Sequence, residues 1–221
     1  MNELSYQKTL DANPVMAAAR RVGALREQYR ALLEEHVHLD KLEIPQHPRI
    51  LSLGCGIAME AFVQNGYFGR KPFGENGESV DFVGIDIDAE IINRAREHYK
   101  RPDFSGAHVS FNPDPHYHFI CGDARRLDEL VDGNFDVLVA SHPEILHRSD
   151  VWREIFSAAK KKHNSRGIIL ATLYIREELE SMKGIFDQGY ICHVATANKY
   201  AKIIPGYTIP FHNFVFVAQK N

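Results

Sequence analysis

"RILSLGCGIAMEAF", residues 49–62, joins a tight apolar run to a helix-like segment through Gly54-Cys55-Gly56. Residues 49–53 read as a buried strand and 57–66 as a helix. Glycines at such a junction let something come close to the backbone. In an open α/β sheet the ligand crevice lies outside the carboxyl ends of the strands, where strand order reverses. Four occupants compete for this end: a phosphate, a dinucleotide, another cofactor, or only the neighbouring helix.

The rest of the chain repeats the strand-then-helix pattern. Asn13-Pro14 reads as an N-cap with proline at the first helical position, and one or two helices should cover about 14–40, with Val22, Leu25, Tyr29, Leu32 and Leu33 at helical spacing. "GYFGRKPFGENGES" (66–79) reads as an irregular loop. Strands are expected at 80–87, 118–124, 135–141, 167–173, 189–196 and 208–220. Helices are expected at 88–100, with Ile91, Ile92, Ala95 and Tyr99 inward, and at 148–164 and 175–188. Residues 101–117, with three prolines, read as loop. The fold class is therefore α/β: a doubly wound, mostly parallel seven-stranded sheet. The last two strands lack a crossover helix, so one of them should run antiparallel. Residues 1–45 form an N-terminal helical extension or cap, and 46–221 the main domain.

Composition narrows the function. The 221 residues carry 26 basic and 29 acidic side chains, a formal net charge of −3, which disfavours a broadly basic nucleic-acid binder. Cys55, Cys121 and Cys192 are too few and too widely spaced for a disulfide framework or a zinc pattern, and each is read as a buried thiol. No apolar run reaches membrane-spanning length, and residues 1–13 lack the apolar stretch of a signal peptide. A cytoplasmic protein is the default expectation.

A triphosphate loop needs G-x-x-x-x-G-K-[ST], and no Lys-Ser or Lys-Thr follows here. A dinucleotide loop needs a third glycine where this chain has Met59, which weakens that reading. A lone glycine turn would serve packing alone. Three further strand ends carry polar features, however. Asp86 ends "VGIDID", where a carboxylate can accept both hydroxyls of a ribose. Asp123 ends "CGDA", where it can accept from an exocyclic amine. Ser141-His142-Pro143-Glu144 ends the fourth strand.

With these residues in place, "ILSLGCGIA", "FVGIDID", "FICGDARRL" and "FDVLVASHPEI" together resemble the class I S-adenosylmethionine-dependent methyltransferases, over about residues 45–220. The resemblance implies S-adenosyl-L-methionine as cofactor, with S-adenosyl-L-homocysteine as product. It implies that Leu53, Gly54, Cys55 and Gly56 approach the methionine part, that Asp86 and Ile87 hold the ribose, that Asp123 and Ala124 border the adenine, and that Ser141 completes the site. Two positions depart from the family pattern: Ser52 stands where an acid is common, and Ala58 stands at the third glycine.

Methyl transfer asks the protein to position and desolvate a nucleophile, and a hydroxyl or ammonium nucleophile also benefits from a base. His142 is the first candidate for that role, Glu144 the second, with His147 further along. Ser141-His142-Pro143-Glu144 keeps only the serine and second proline of [NDS]-P-P-[YFW], so the aromatic platform for a flat amine is missing. The expected acceptor is a small molecule methylated on oxygen or nitrogen. The alternatives are a cofactor-binding scaffold or effector without turnover, and a protein or nucleic-acid methylase. The histidines at 108, 116, 118, 142 and 147 lack metal-ligand spacing, so no metal is expected. Tyr6, Arg20, Arg21 and Tyr29 on the N-terminal extension could reach the pocket, although Arg20-Arg21 fit a solvated face better. The same helix could mediate a homodimer; otherwise the protein is a monomer.

Overall fold

In the computed structural model, residues 14–70, 80–103, 110–201 and 212–221 are described. The chain begins with helix α1 (Pro14–His36) and enters β1 (Arg49–Leu53), α2 (Ala61–Phe68), β2 (Asp81–Asp86) and α3 (Ala89–His98). A hairpin follows, β3 (Lys100–Asp103) with β4 (Ser110–Pro113), and then β5 (Tyr117–Cys121). A 3-10 turn (Ala124–Arg126) leads into the short α4 (Leu127–Leu130) and β6 (Phe135–Ser141). The remainder is α5 (Ser149–Lys161), β7 (His163–Leu173), α6 (Arg176–Ile185), β8 (Tyr190–Ala197) and β9 (Phe214–Lys220).

Seven strands form one sheet in the order β5-β2-β1-β6-β7-β9-β8. The pairs among β5, β2, β1, β6 and β7 are parallel, whereas β9 runs antiparallel to both β7 and β8. The expected antiparallel strand is thus the last one. Strand order reverses between β1 and β6, which puts the crevice between Leu53-Gly54 and Ser141-His142.

The near-continuous apolar strands make sense in two layers, because alternate side chains go to opposite faces. Ile50, Val137, Val139, Ile168, Leu170, Val215 and Val217 pack on one face with Tyr29, Leu32, Leu33, Ile92 and Ala95. Leu51, Leu53, Leu138, Ala140, Ile169, Ala171 and Phe216 pack on the other with Phe156, Ala159, Leu179 and Met182. Helix α1 therefore contributes directly to a core face: Tyr29, Leu32 and Leu33 are fully buried.

Several expectations need correction. The second helix starts at Ala61, not 57, because Ala58 takes a left-handed conformation (φ 54°) that a helix cannot propagate through. Residues 101–117 are not loop throughout: Arg101–Asp103 pair antiparallel with Ser110–Asn112, with Pro102 and Pro113 at edges of this isolated two-stranded ribbon. Strand β7 starts earlier than 167, at His163. Cys55 is buried as expected, but Cys121 and Cys192 are exposed, because each lies on an edge strand of the sheet, β5 and β8 respectively. Residues 71–79, within the expected loop, and 202–211, within the expected last strand, lie outside the described residues, as does Tyr6.

Candidate functional site

The glycine loop is held from several sides. Cys55 N–H donates to Ile85 O at 2.9 Å, which ties the loop to β2. Gly56 N–H donates to Asp86 Oδ2 at 2.9 Å, and Asp88 N–H donates to Asp86 Oδ1 at 3.0 Å. Beyond it, Tyr99 Oη donates to Ala58 O at 2.5 Å and Arg26 Nε to Met59 O at 3.2 Å. Gly54 and Gly56 have φ of 60° and 55°, a region glycine enters without the Cβ clash that other residues meet. A side chain at Gly54 would also come within 3.3 Å of the Trp152 ring. Ser52, where an acid is common, is buried on β1. Bracing of the loop falls to Asp86 instead.

A cavity of about 680 Å³ opens beside this loop. Gly54 and Asp86-Ile87 line one side, Asp123-Ala124 another, and His142, Glu144 and Trp152 the third. The volume suits a drug-sized ligand, and the lining mixes apolar walls with a few polar groups, as ligand pockets do. The expected cofactor residues Gly54, Asp86, Ile87, Asp123 and Ala124 are thus brought together. Leu53 and Cys55 are buried behind the loop, with Cys55 Sγ next to the Gly84 backbone. Gly56 turns its N–H to Asp86.

Each strand end delivers its residue for a local reason. Asp88 caps α3, accepting from Glu90 and Ile91 N–H at 2.8 and 3.2 Å, and so fixes where β2 stops. Ile87 is left 71% exposed at the lip of the cavity, an unusual exposure for a large apolar side chain. Asp123 caps the 3-10 turn through Arg125 N–H at 3.0 Å. The Arg125 guanidinium also donates to both Asp123 oxygens, at 2.9 and 2.6 Å, and holds that carboxyl below its usual range.

Trp152 was missed by the sequence reading. Its signal was available: Trp152, Ile155, Phe156 and Ala159 follow helical spacing on α5, and the first two face the cavity. Trp152 is the only tryptophan in the chain.

His142 stands at the cavity edge with a left-handed backbone (φ 56°) and donates its N–H to Thr172 O at 2.8 Å. Its ring is stacked on Tyr174 (centroids 4.1 Å apart, 19° between planes) and on His212 (4.6 Å, 27°). Burial pushes its pKa down to about 3. A ring so reluctant to hold a proton suits hydrogen bonding and shape better than proton removal. Glu144 lines the cavity but is exposed, and pairs with Arg148 at 3.6 Å.

Behind His142 lies a buried polar cluster that the sequence did not announce. His212 Nδ1 pairs with Thr172 Oγ1 at 2.9 Å, and its Nε2 lies 3.7 Å from Glu60 Oε1. Tyr29 receives a hydrogen bond from Gln64 Nε2 at 3.0 Å and is hydrogen-bonded with Ser141. Burial pushes Tyr29 and Glu60 up and His212 down. Its parts come from five elements far apart in the chain, which is why spacing could not reveal it. Of the histidines weighed as metal ligands, His142 follows β6, His116 precedes β5, His118 lies within β5, His147 is exposed and His108 lies outside the described residues; no group of three metal-ligating side chains occurs among the described residues.

Residues 45–205 match the profile of a family described as a methyltransferase domain. By sequence, no curated protein matches the chain. Solved structures do. TrmN from Thermus thermophilus superposes with a TM-score of 0.58 at 18% identity, over 89% of this chain and 53% of that one, so this chain spans about half of its length. The magnesium protoporphyrin IX methyltransferase ChlM from Synechocystis PCC 6803, solved with bound S-adenosylmethionine, gives 0.58 at 12% identity over 95% and 85%. An S-adenosylmethionine-dependent methyltransferase from Clostridium acetobutylicum gives 0.58 at 10% identity over 89% and 92%.

Proposed function

The chain belongs to the S-adenosylmethionine-dependent methyltransferases, and from that premise we propose that its methyl acceptor is a small molecule held at the carboxyl end of β6, beside His142. The bound cofactor supplies an activated methyl on a sulfonium. The cavity fits it in kind: a glycine loop with an exposed backbone at Gly54, a carboxylate at Asp86 and an apolar lip at Ile87. In this reading Asp86 takes the ribose, Ile87 and Ala124 flank the adenine, Asp123 accepts its amine, and Leu53 to Gly56 with Ser141 border the methionine part. His142 and Glu144 border the acceptor.

One observation carries the choice of acceptor. Glu144 stands where a flat base would need an aromatic platform, and the His142 ring two residues before it is already stacked with Tyr174 and His212. A splayed nucleobase relies on such stacking for about 1–3 kcal/mol. The rim carries the carboxylates of Asp86, Asp88, Asp123 and Glu144 against the guanidiniums of Arg125 and Arg148, an acidic balance that disfavours a phosphate backbone.

The test is methyl transfer from labelled S-adenosylmethionine to three pools: a metabolite panel, total tRNA and rRNA, and unfolded protein. Label in the metabolite pool alone supports the reading. Label in RNA or protein makes this a macromolecular methylase, and binding of cofactor without transfer to any pool favours a scaffold.

A further inference from the structure

The turn that presents His142 to the cavity is strained at two facing residues. His142 (φ 56°) and His212 (φ 51°) both take the left-handed backbone, and their rings stack with centroids 4.6 Å apart. A non-glycine residue keeps such a conformation only where its surroundings over-determine it. Thr172 on β7 supplies part of the restraint. Its carbonyl accepts the His142 N–H at 2.8 Å, and its hydroxyl pairs with His212 Nδ1 at 2.9 Å. A further restraint comes from helix α1, outside the sheet.

Tyr29 of α1 reaches this turn by two routes. Its hydroxyl is hydrogen-bonded with Ser141, the last residue of β6, and its ring lies 4.9 Å from the His212 ring. Gln64 on α2 also fixes the hydroxyl, donating from Nε2 to Tyr29 Oη at 3.0 Å. The two routes end on consecutive residues, Ser141 directly and His142 through His212. Packing alone does not ask for this hydroxyl. Leu32 and Leu33, one turn on, are as fully buried in the same core face, and a phenylalanine would fill the Tyr29 site with no polar atom to desolvate. Burial keeps the phenol protonated, so its part is to bond and to pack, not to titrate.

We propose that Tyr29 is a positioning residue for methyl transfer: from α1 it holds Ser141 and, through His212, the His142 ring in the arrangement that meets the acceptor. This rests on the reading above that puts the acceptor beside His142. Tyr29 itself does not line the cavity and touches no substrate. Its effect reaches the site through the end of β6.

The experiment compares the full-length wild type with Tyr29→Phe and Leu32→Val, each isotopically labelled and saturated with S-adenosylhomocysteine. Calorimetry with S-adenosylhomocysteine comes first, and failure of the wild type to bind sinks the cofactor reading separately. In the wild type, nuclear Overhauser contacts should join the Tyr29 hydroxyl to Ser141 and the Tyr29 ring to His212. Their absence overturns the proposal, whether or not a variant folds. Tyr29→Phe keeps the ring and loses the hydroxyl. It should shift the Ser141 and His142 resonances and move the His142 backbone coupling off its left-handed value, while S-adenosylhomocysteine affinity stays within about twofold. In methyl transfer to the metabolite panel its kcat should fall at least about fivefold, with KM for S-adenosylmethionine little changed. Leu32→Val trims the same core and should leave the His142 resonances and kcat in place. Unmoved His142 resonances in a folded Tyr29→Phe, or the same response in Leu32→Val, overturn the proposal. Label entering RNA or protein instead sinks the small-molecule reading, and the same kcat ratio read on that pool still decides for or against Tyr29.

Discussion

Asp86 Oδ2 accepts the Gly56 N–H at 2.9 Å, so the acid that ends β2 also braces the loop that ends β1. Ser52, with no charge, cannot do so from its own strand. Hydrogen bonds to a charged group contribute about 1.5–3 kcal/mol. Asp86→Ala should therefore weaken S-adenosylmethionine binding by a factor of about 10–100, through the lost ribose acceptor and the loosened loop together. Asp86→Asn keeps an oxygen for Gly56 N–H and should fall between. Calorimetry across the three proteins checks the order, and equal affinities would remove Asp86 from the site.

The stack of Tyr174, His142 and His212 predicts an acid-labile fold. A buried histidine resists protonation, so His142 has its pKa lowered to about 3 and His163, buried against Tyr190, to about 4. The unfolded chain takes up these protons near the ordinary histidine value of about 6.5. Between that pH and the lowered values the unfolded state binds more protons, so stability rises with pH there. The contribution is complete above about 6.5 and drains away as pH falls towards 4 and then 3. His142→Phe, which keeps a ring in the stack, should flatten this decline in urea melts taken from pH 8 to 4. Parallel decline in both proteins would show that His142 is protonated in the folded state.

Much of this fold was legible because near-continuous apolar runs, an acid at the end of β2 and Gly-x-Gly after β1 are local signals that the parallel sheet obeys. The seven-strand order and the gathering of Gly54, Asp86, Ile87, Asp123, Ala124 and His142 on one edge follow from them. What was not legible depends on long-range placement. Glu60 belongs to none of the motifs, and His212 falls inside the strand expected at 208–220. Only the fold brings them to 3.7 Å. The hairpin at β3 and β4 hid behind three prolines because it is a separate two-stranded ribbon, where an absent N–H costs less.

Ala58 replaces a glycine at φ 54° while its carbonyl is tied to Tyr99 and its methyl is buried. The left-handed region costs a non-glycine residue about 1–2 kcal/mol, and a buried methyl returns roughly 0.8. Ala58→Gly should accordingly stay within about 1 kcal/mol of the wild type in urea unfolding. Ala58→Val, β-branched at the same φ, should lose more than about 2 kcal/mol. Equal stability of all three would mean that the loop relaxes out of the left-handed region.

Gly84 faces Cys55 Sγ and the Phe119 ring, each 2.9 Å from where a Cβ would stand. Overpacking of that kind costs about 1–3 kcal/mol. Gly84→Ala should lower stability by that amount, and Cys55→Ala in the same chain should restore part of it. Because Cys55 belongs to the glycine loop, the single variant should also weaken cofactor binding. Additive effects of the two substitutions would show that the added methyl clashes elsewhere.

Trp152 offers a direct report on the cavity. Its ring touches the Gly54 side of the loop and lines the space where the cofactor is expected. As the one tryptophan, it gives the whole of the chain's indole fluorescence. S-Adenosylhomocysteine should change that emission with the dissociation constant that calorimetry gives. Trp152→Leu removes an aromatic wall of the kind that contributes about 0.5–1.5 kcal/mol beyond its buried area, so it should weaken binding about threefold to tenfold or more. Calorimetric binding without any change in emission would put the adenosine on the far side of the cavity, against Ile87 alone.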